Sequence, residues 1–441
     1  MSDSDNITND TTPTFTGTAE ADATVAVVSD VDGSLGTTTA DSSGNWTLTP
    51  GTALSEGTHV AHATATDGAG NASQPSTDLS LQIDTSMPTG HSVGFDGAIY
   101  NAALSSASFT FAGAEVGTSY SYTIASSGGG TPATGSGTFA SATDQVSGVN
   151  LAGLADGTLT LSVTVTDIAG NTATAVTAMA AKDVALPTGH AVAFVDTNLN
   201  AGEAGNTGFA FSGGEAGTAY TYTITSSGGG TPVTGSGTLA GTTDAISGID
   251  LSDLPDGALS LSVVVTDSAG NASPAVTDIA ALDQTAPTVA ITSGVSDPAN
   301  SAFTATIAFS EAVSGFAIGD ITAVNATLSD LVDNGNGSYN VTVTPTVDGA
   351  VTLDVAGAIA QDAVGNNNSA ATQFSVTYDG SAPTPVFSTS AGDPTNEAFV
   401  VDIAFGESVT GFAIADISPV NATLSNLVDN GSGSYSVTVT P

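Results

Sequence analysis

Two acidic signals recur along this chain at nearly constant spacing. One is the turn Asp-X-X-Gly-Asn, as in Asp267 to Asn271, and the other is an aspartate four residues before a proline, as in Asp283. Carboxylates and amide carbonyls are hard oxygen ligands, and Ca²⁺ takes about six to eight of them in irregular geometry. The turn also folds without an ion, because Asp caps it, Gly takes a positive φ and Asn tolerates the left-handed region. For a single copy, both interpretations stay open.

Internal similarity determines how these signals are distributed. Long segments return almost unchanged, at an offset of 100 residues in the middle of the chain and of 96 residues towards its end. Self-similarity at a fixed period is typical of tandem domains. The similar pairs are 120–139 with 220–239, 154–171 with 254–271, and 316–345 with 412–441. The sequence therefore predicts five units, the last one truncated: unit 1 (1–85), unit 2 (86–185), unit 3 (186–285), unit 4 (286–381) and unit 5 (382–441).

The elements that must position the acidic residues are strands. Segments such as "LSLSVVVT" and "YTYTITS" alternate with period two, are rich in Val, Thr, Ile and Tyr, and lie between Gly, Pro, Asn and Asp clusters. No window keeps its apolar residues at helical spacing for long. About seven short strands in each complete unit indicate an antiparallel sandwich of two sheets. We expect an all-β fold, a tandem array of immunoglobulin-like β-sandwich domains.

The sandwich predicts where the two acidic signals meet. In a seven-stranded unit the turn before the last strand lies at the N-terminal pole, whereas the linker aspartate lies about 40 Å away at the C-terminal pole. The linker aspartate can therefore join only the turn of the following unit, together with a glutamate that follows that unit's second strand. We predict structural Ca²⁺ at three such junctions: Asp84 with Glu115, Asp167 and Asn171; Asp183 with Glu215, Asp267 and Asn271; and Asp283 with Glu311, Asp362 and Asn366.

Several segments of the sequence resemble repeats of a known type. "TPTFTGTAEADATVAVV", "SSGNWTLTP" and "LSEGTHVAHATATDGAGNAS" in unit 1 resemble the bacterial Ig-like repeats of giant surface adhesins, including biofilm-associated and RTX-type adhesins. Units 2 and 3, with "FAGAEVGTSYSYTI" and "TVTDIAGN", and units 4 and 5, with "AFSEAVSGFAI" and its near-copy, resemble two further varieties. The resemblance covers essentially the whole chain.

This resemblance implies an extracellular stalk on a bacterial cell surface, exported by type I secretion, commonly stiffened by calcium and supporting adhesion or biofilm formation. Its partners would be further repeats of the same polypeptide and, through modules outside this chain, a host or abiotic surface.

The amino-acid composition excludes several other classes of protein and of site. The formal charge is −42, with 43 acidic residues against the single cation Lys182. Such a charge repels phosphate backbones and anionic lipid surfaces, so we expect neither nucleic-acid binding nor membrane association. Cysteine is absent, which excludes disulfides and thiolate sites. The sequence shows no signal peptide and no apolar run of about 18 residues, so we predict no membrane span.

Other candidate sites are weaker. "DTNLNAGE" at 196–203 spaces its Asp and Asn residues like a calcium loop, but it lacks the central glycine and the distal glutamate of an EF-hand. His59 and His62 point to opposite faces of one strand, and His91 and His190 occupy matching positions typical of packing. We find no nucleophile elbow, phosphate loop or zinc motif and expect no enzymatic activity. Two alternatives stay open: carbohydrate- or receptor-binding modules, and an accessory region of a larger secreted enzyme.

Overall fold

The computed structural model describes residues 5–101 and 104–441. This part of the chain is built almost entirely from β-strands, which confirms the predicted all-β class. Its helical content is the four-residue helix α1 (Ala201–Ala204) and two 3-10 turns at Ile318–Asp320 and Ile414–Asp416. None of these segments has the length and hydropathy that a membrane-crossing helix needs.

Unit 1 pairs a five-stranded sheet with a two-stranded one. The larger sheet has the order β1-β7-β6-β3-β4 and the smaller sheet is β2-β5. The strands are β1 (Ile7–Thr8), β2 (Phe15–Thr18), β3 (Thr24–Ser29), β4 (Gly33–Thr39), β5 (Asn45–Leu48), β6 (Gly57–Thr66) and β7 (Leu79–Ile83).

Units 2 and 3 share one topology, with five strands facing three. The sheets are β12-β11-β14-β15-β9 with β13-β10-β8 in unit 2, and β17-β23-β22-β19-β20 with β16-β18-β21 in unit 3. The strands of unit 2 are β8 (Ser92–Phe95), β9 (Ile99–Tyr100), β10 (Ala107–Ala112), β11 (Ser119–Ser126), β12 (Ala133–Thr138), β13 (Gln145–Val149), β14 (Gly157–Thr166) and β15 (Val176–Lys182). Those of unit 3 are β16 (Ala191–Phe194), β17 (Asn198–Leu199), β18 (Thr207–Ser212), β19 (Ala219–Ser226), β20 (Gly229–Thr238), β21 (Thr243–Ile249), β22 (Gly257–Thr266) and β23 (Val276–Leu282).

Unit 4 pairs four strands with three, and unit 5 forms a single four-stranded sheet. The orders are β24-β25-β28-β27 with β26-β29-β30 in unit 4, and β31-β32-β34-β33 in unit 5. The strands of unit 4 are β24 (Val289–Ser293), β25 (Phe303–Phe309), β26 (Ile321–Val324), β27 (Ala326–Gly335), β28 (Ser338–Pro345), β29 (Gly349–Val355) and β30 (Phe374–Tyr378). Those of unit 5 are β31 (Val386–Thr389), β32 (Phe399–Ala404), β33 (Thr423–Gly431) and β34 (Ser434–Thr440).

The described residues form five separate hydrophobic cores, one in each unit. Strand β22 shows how the alternating pattern produces it: Leu259, Leu261, Val263 and Val265 are buried, while the residues between them face outwards. Only three residues of unit 5 are buried in its core cluster, since one sheet has no second sheet to pack against.

The edge of the larger sheet positions the junctions. In units 1 to 3 a two-residue strand pairs parallel with the last strand, as β1 with β7, β9 with β15 and β17 with β23. Unit 4 keeps this contact as a parallel bridge between Ala299 and Tyr378. Because parallel neighbours end at the same edge, the residue after the short strand and the linker aspartate after the last strand both reach the C-terminal pole.

Candidate metal centre at the junctions between units

The Asp-X-X-Gly-Asn turn is held by its own side chains. In unit 3, Asp267 Oδ1 accepts the N–H groups of Ala269 and Asn271, and its Oδ2 accepts the Asn271 amide at 2.9 Å. Gly270 has φ +92°, which a residue with a side chain rarely adopts. Units 1, 2 and 4 build the same turn around Asp67, Asp167 and Asp362. The side chains of the turn therefore bond its own backbone groups and each other.

The asparagine of this turn also contacts the preceding unit. At three successive junctions its Nδ2 donates to the main-chain oxygen of the linker aspartate. The distances are 2.7 Å from Asn171 to Asp84, 3.1 Å from Asn271 to Asp183 and 2.7 Å from Asn366 to Asp283. All three asparagines are buried, whereas Asn71 in unit 1, which no described linker reaches, is exposed. The linker and the following turn thus meet directly at each junction.

A second set of asparagines completes these junctions, and sequence reasoning missed it. Asn9, Asn101 and Asn200 directly follow β1, β9 and β17 and reach the turn of the next unit. Asn9 N–H donates to the oxygen of Ala169 at 3.2 Å. Asn101 Nδ2 donates to Ala269 O at 2.5 Å, and Asn200 Nδ2 to Val364 O at 3.1 Å. Aligning "ITND", "IYNA" and "NLNA" would have exposed the repeated asparagine.

In the "DTNLNAGE" segment, the side-chain oxygens of Asp196, Asn200 and Glu203 accept from backbone groups of the segment itself. Asn200 Oδ1 caps helix α1 by accepting from Gly202 N–H and Glu203 N–H, and the Glu203 carboxylate accepts from Asn200 N–H. Asp196 Oδ1 accepts from Asn198 N–H. These contacts are a capping box and an Asx turn, so the spacing that resembles a calcium loop serves the backbone here.

The third junction brings three carboxylates together. One oxygen each from Asp283, Glu311 and Asp362 lies within 4.8 Å of the others. Asp362 is buried and the other two are half-buried. Within residues 5–101 and 104–441 no other three Asp, Glu or His side chains form such a group.

Their electrostatics differ. Burial, and then the charges of Asp283 and Asp362, raise the pKa of Glu311. Burial also opposes ionisation of Asp362, but hydrogen bonds from the side chain and backbone of Asn366 and from Val364 and Gly365 N–H outweigh it and lower that pKa. Of these two carboxyls, Glu311 is therefore the less favourably ionised.

At the first two junctions the glutamates are placed differently. Glu115 and Glu215 are exposed, and neither belongs to a group of three metal-ligand atoms in the described chain. Each is the third residue after its strand, whereas Glu311 is the second residue after β25. A glycine with positive φ follows each of those two strands, Gly113 at +70° and Gly213 at +69°, so the glutamate there leaves the strand along a different path from Glu311. Asp84 with Asp167, and Asp183 with Asp267, therefore meet through the asparagine contacts without a third carboxylate.

The surroundings of three histidines indicate packing roles. His59 is fully buried, with its ring nitrogens 2.9 Å from Ser29 Oγ and 2.8 Å from Ser55 O. His190 Nε2 lies 3.4 Å from Ser273 Oγ. Both ring nitrogens of His91 are buried and find no hydrogen-bond partner among the described residues.

Comparisons with known proteins give the family. Residues 1–85 match one family model described as a bacterial Ig-like domain, and residues 283–378 and 379–441 match a second model with the same description. A search of curated protein sequences finds no match. Among solved structures, the chain is similar to four tandem repeats from the extending region of a large adhesion protein, with 21% identity over 86% of this chain and 98% of that one, at a TM-score of 0.30. It is also similar to a structure of a 1.5-MDa bacterial ice-binding adhesin, with 20% identity over 66% and 98% and a TM-score of 0.32.

Proposed function

Because this chain belongs to the bacterial Ig-like domains, we propose that it is a stalk segment of an extracellular bacterial adhesin, stiffened by calcium where its units meet. The stalk would hold an adhesive part of the same polypeptide away from the cell surface and so support adhesion or biofilm formation. The observation that carries the proposal is the junction contact, which repeats at Asp84, Asp183 and Asp283 with the same donor and acceptor atoms.

The repeated contact favours a spacer. Each junction uses one side-chain amide to bind the linker backbone and a second asparagine from the preceding unit to bind the turn. Hydrogen bonds of this kind contribute about 0.5–1.5 kcal/mol each, so a few of them bias the angle between units without locking it. An additional interaction is needed for a stiff joint.

The residues at the third junction fit calcium. Three carboxylates with oxygens within 4.8 Å of one another are the hard, negatively charged ligands that this ion prefers. Burial and mutual repulsion make the ionised group unfavourable by itself, as the raised pKa of Glu311 indicates. When bound, calcium would supply the positive charge that neutralises them. Asp283 belongs to the linker, whereas Glu311 and Asp362 belong to unit 4. A calcium ion bound by all three carboxylates would therefore join two units.

The first two junctions bring fewer carboxylates together than the third. There the ligand types are present in Asp84, Asp167 and Asn171 and in Asp183, Asp267 and Asn271, but Glu115 and Glu215 stand apart. Affinities of extracellular calcium modules lie at about 10⁻⁴ to 10⁻³ M. Such sites fill outside the cell and stay empty in the cytosol, which would leave the chain pliable during export.

Small-angle scattering of the whole chain tests this function. We expect a larger maximum dimension with excess Ca²⁺ than with EDTA, because a stiff joint keeps the units extended. Asp283→Asn should reduce that difference, and the matched variant Asp84→Asn should reduce it less. An identical scattering profile with and without calcium would refute the stiffening.

A further inference from the structure

Units 2 and 3 each leave one edge of the larger sheet unpaired. Strand β12 ends the five-stranded sheet of unit 2 and β20 ends that of unit 3, and within the described residues each pairs with one neighbour, β11 or β19. The pairing of β12 is regular from Thr138 opposite Ser119 to Ala133 opposite Ile124. The backbone groups on its other side therefore form an uninterrupted row, which is a template for a further strand.

Other edge strands of the chain carry the protection that such an edge usually needs. In unit 1 the pairing of the edge strand β4 shifts register between Val27 and Val28. In unit 4 the pairing of the edge strand β27 shifts register twice, and this strand also contains Asp330 and Asp333. Bulges and charged side chains both oppose edge-to-edge association. The segments 133–138 and 233–238 have neither.

The sheet beside these edges carries no charge, although the chain has 43 acidic residues. Strands β11, β12 and β14 of unit 2, and β19, β20 and β22 of unit 3, contain uncharged residues only. The exposed side chains of the β12 edge are the hydroxyls of Thr134, Ser136 and Thr138. A second chain of the same negative charge therefore meets less repulsion here than at the acidic junctions.

The edge sequence is the same in both directions. Residues 134–138 are Thr-Gly-Ser-Gly-Thr, and residues 234–238 repeat this sequence. When two such strands pair antiparallel about Ser136, each threonine faces a threonine, each glycine faces a glycine, and the two Ser136 residues meet on the two-fold axis. The strand is thus complementary to a second copy of itself.

The two glycines have a structural role that leaves the edge open. Tyr120 and Tyr122 of β11 lie opposite Gly137 and Gly135, and a Cβ on either glycine would lie 2.5 Å from a tyrosine ring atom. Glycine is therefore required at both positions, and no side chain of β12 obstructs the inner face of its edge. An approaching strand meets main-chain groups, with hydroxyls on the outer face.

We propose that these two edges are homophilic contact sites, at which β12 or β20 pairs antiparallel with the same segment of a second copy of this chain. Main-chain hydrogen bonds supply the attraction, and the symmetry of the segment determines the register. One pair of strands buries little surface and binds weakly. Two sites in each chain strengthen the contact when both are engaged. The pairing does not depend on the proposed function.

The topology gives the direction of the paired chains. The last strand, β15, runs towards the C-terminal pole, and β14, β11 and β12 follow it across the sheet in alternating directions, so β12 runs towards the N-terminal pole. Antiparallel pairing of two β12 strands therefore places the two chains in opposite directions. For stalks this is the arrangement of chains that extend from two facing cells, and this use, unlike the pairing, rests on the proposed function.

Cysteine cross-linking tests the register, because the natural chain has no cysteine. Ser136→Cys combined with Ser236→Cys places one thiol at the centre of each edge, where the Cα atoms of facing residues lie about 4.5–5.5 Å apart, within disulfide range. We expect a covalent dimer under mild oxidation.

The control is Thr134→Cys combined with Thr234→Cys, at positions that are also exposed. The proposed register keeps these thiols about 13 Å apart, so the control should cross-link at least about ten times more slowly. It should cross-link readily when it is mixed with a chain that carries Thr138→Cys and Thr238→Cys.

Sedimentation velocity tests the pairing without a cross-link. The natural chain should form a dimer whose fraction rises with protein concentration at physiological ionic strength. Ser136→Asp combined with Ser236→Asp brings two carboxylates together on the axis and should lower the dimer fraction several-fold. The matched control is Ser121→Asp combined with Thr221→Asp, which adds the same charge at the facing positions of β11 and β19, one strand away from the edge, and should lower it less.

Three results would overturn the proposal. One is a monomer at every concentration together with no cross-linking of the Ser136→Cys, Ser236→Cys chain. Another is equally fast cross-linking of the Thr134→Cys, Thr234→Cys control, which would indicate random collision or parallel pairing. The last is a dimer that Ser136→Asp with Ser236→Asp leaves unchanged, which would place the contact elsewhere on the chain.

Discussion

The side-chain amide of Asn366 donates a 2.7 Å hydrogen bond to the main-chain oxygen of Asp283, which lies in the linker before unit 4. Its Oδ1 accepts from Ala201 N–H at 2.9 Å, so one buried side chain binds two separate segments of unit 3. Direct side-chain contacts, in addition to the length of the linker, therefore determine how the two units are placed relative to each other.

Replacing this asparagine should loosen the junction. Asn366→Ala removes the bonds to Asp283, Ala201 and Asp362, and we expect the free energy of unfolding of unit 4 to fall by about 2–3 kcal/mol. The scattering profile should broaden at the same time. The matched control is Asn71→Ala, which breaks the same turn in unit 1, where the Asn71 side chain bonds to Asp67 and, among the described residues, to no linker. A scattering profile of Asn366→Ala identical to the natural one would contradict the junction role.

Neutralising Glu311 should have opposite effects with and without calcium. In EDTA, Glu311→Gln removes a carboxylate whose pKa is raised by burial and by Asp283 and Asp362, so we expect unit 4 to unfold at a higher temperature. In excess calcium the variant lacks one of the three ligands, so calcium should raise its unfolding temperature less than it raises that of the natural chain. Calorimetry measures both. Glu115→Gln, at an exposed position, is the control and should change neither value.

The pH dependence follows from the direction of the same shift. The folded-state pKa of Glu311 lies above its unfolded value, so the folded calcium-free chain takes up a proton as pH falls through the raised value. Protonation relieves the repulsion, and the stability gap between the natural chain and Glu311→Gln in EDTA should close over that range. The stabilisation by calcium should decline over the same range, because the ion requires the carboxylate. Thermal unfolding across a pH series would measure both trends, and a gap that widens towards acid pH would show the wrong sign.

The lysine of the partly buried ion pair in unit 2 should be replaceable by a hydrophobic residue. Lys182 Nζ donates to Asp156 Oδ1 at 2.7 Å from a side chain that is 4% exposed, and Leu282 takes its place in unit 3. Lys182→Leu should change the free energy of unfolding by less than about 1 kcal/mol, since a buried pair roughly balances its desolvation cost. Asp156→Ala leaves the ammonium buried without its partner and should cost about 2–3 kcal/mol. Denaturant titration distinguishes them, and equal losses would argue against this account.

One serine should explain the difference between His91 and His190. Ser273 Oγ lies near His190 and accepts Val265 N–H, whereas unit 2 has Ala173 in that position and His91 lacks a partner in the described chain. Ala173→Ser should stabilise unit 2 by about 1 kcal/mol, and Ser273→Ala should destabilise unit 3 by about the same amount. Thermal unfolding of both variants makes a matched pair. Destabilisation by Ala173→Ser would show that the space beside His91 is too small for an oxygen.

The sequence was sufficient to predict the architecture because apolar and polar residues alternate clearly along the strands. Leu259 to Val265 alternate inwards and outwards in β22 as their period predicts, and the near-copy in unit 2 does the same in β14. The linker and turn could also be assigned to one junction, since strand direction alone determines which pole each of them occupies.

The details of the junction required coordinates. Nothing in the pattern shows that Glu311 lies beside Asp283 while Glu115 stays exposed, because the difference is a single residue of loop length. The junction contacts of Asn9, Asn101 and Asn200 were not predicted, because a two-residue strand such as β1 is too short to show a period in the sequence. Parallel pairing of that strand with β7 is a non-local contact, and local sequence does not encode it.

That pairing has a mechanical consequence. Strands β1 and β7 lie side by side and run the same way, with Ile7 opposite Gln82 and Thr8 opposite Ile83. Tension on a unit enters ahead of β1 and leaves after β7, so it drags the two strands past each other in opposite directions. Their hydrogen bonds are then loaded together in shear and do not break one after another. A chain assembled from such units would yield abruptly, at high force, when it is pulled by its ends.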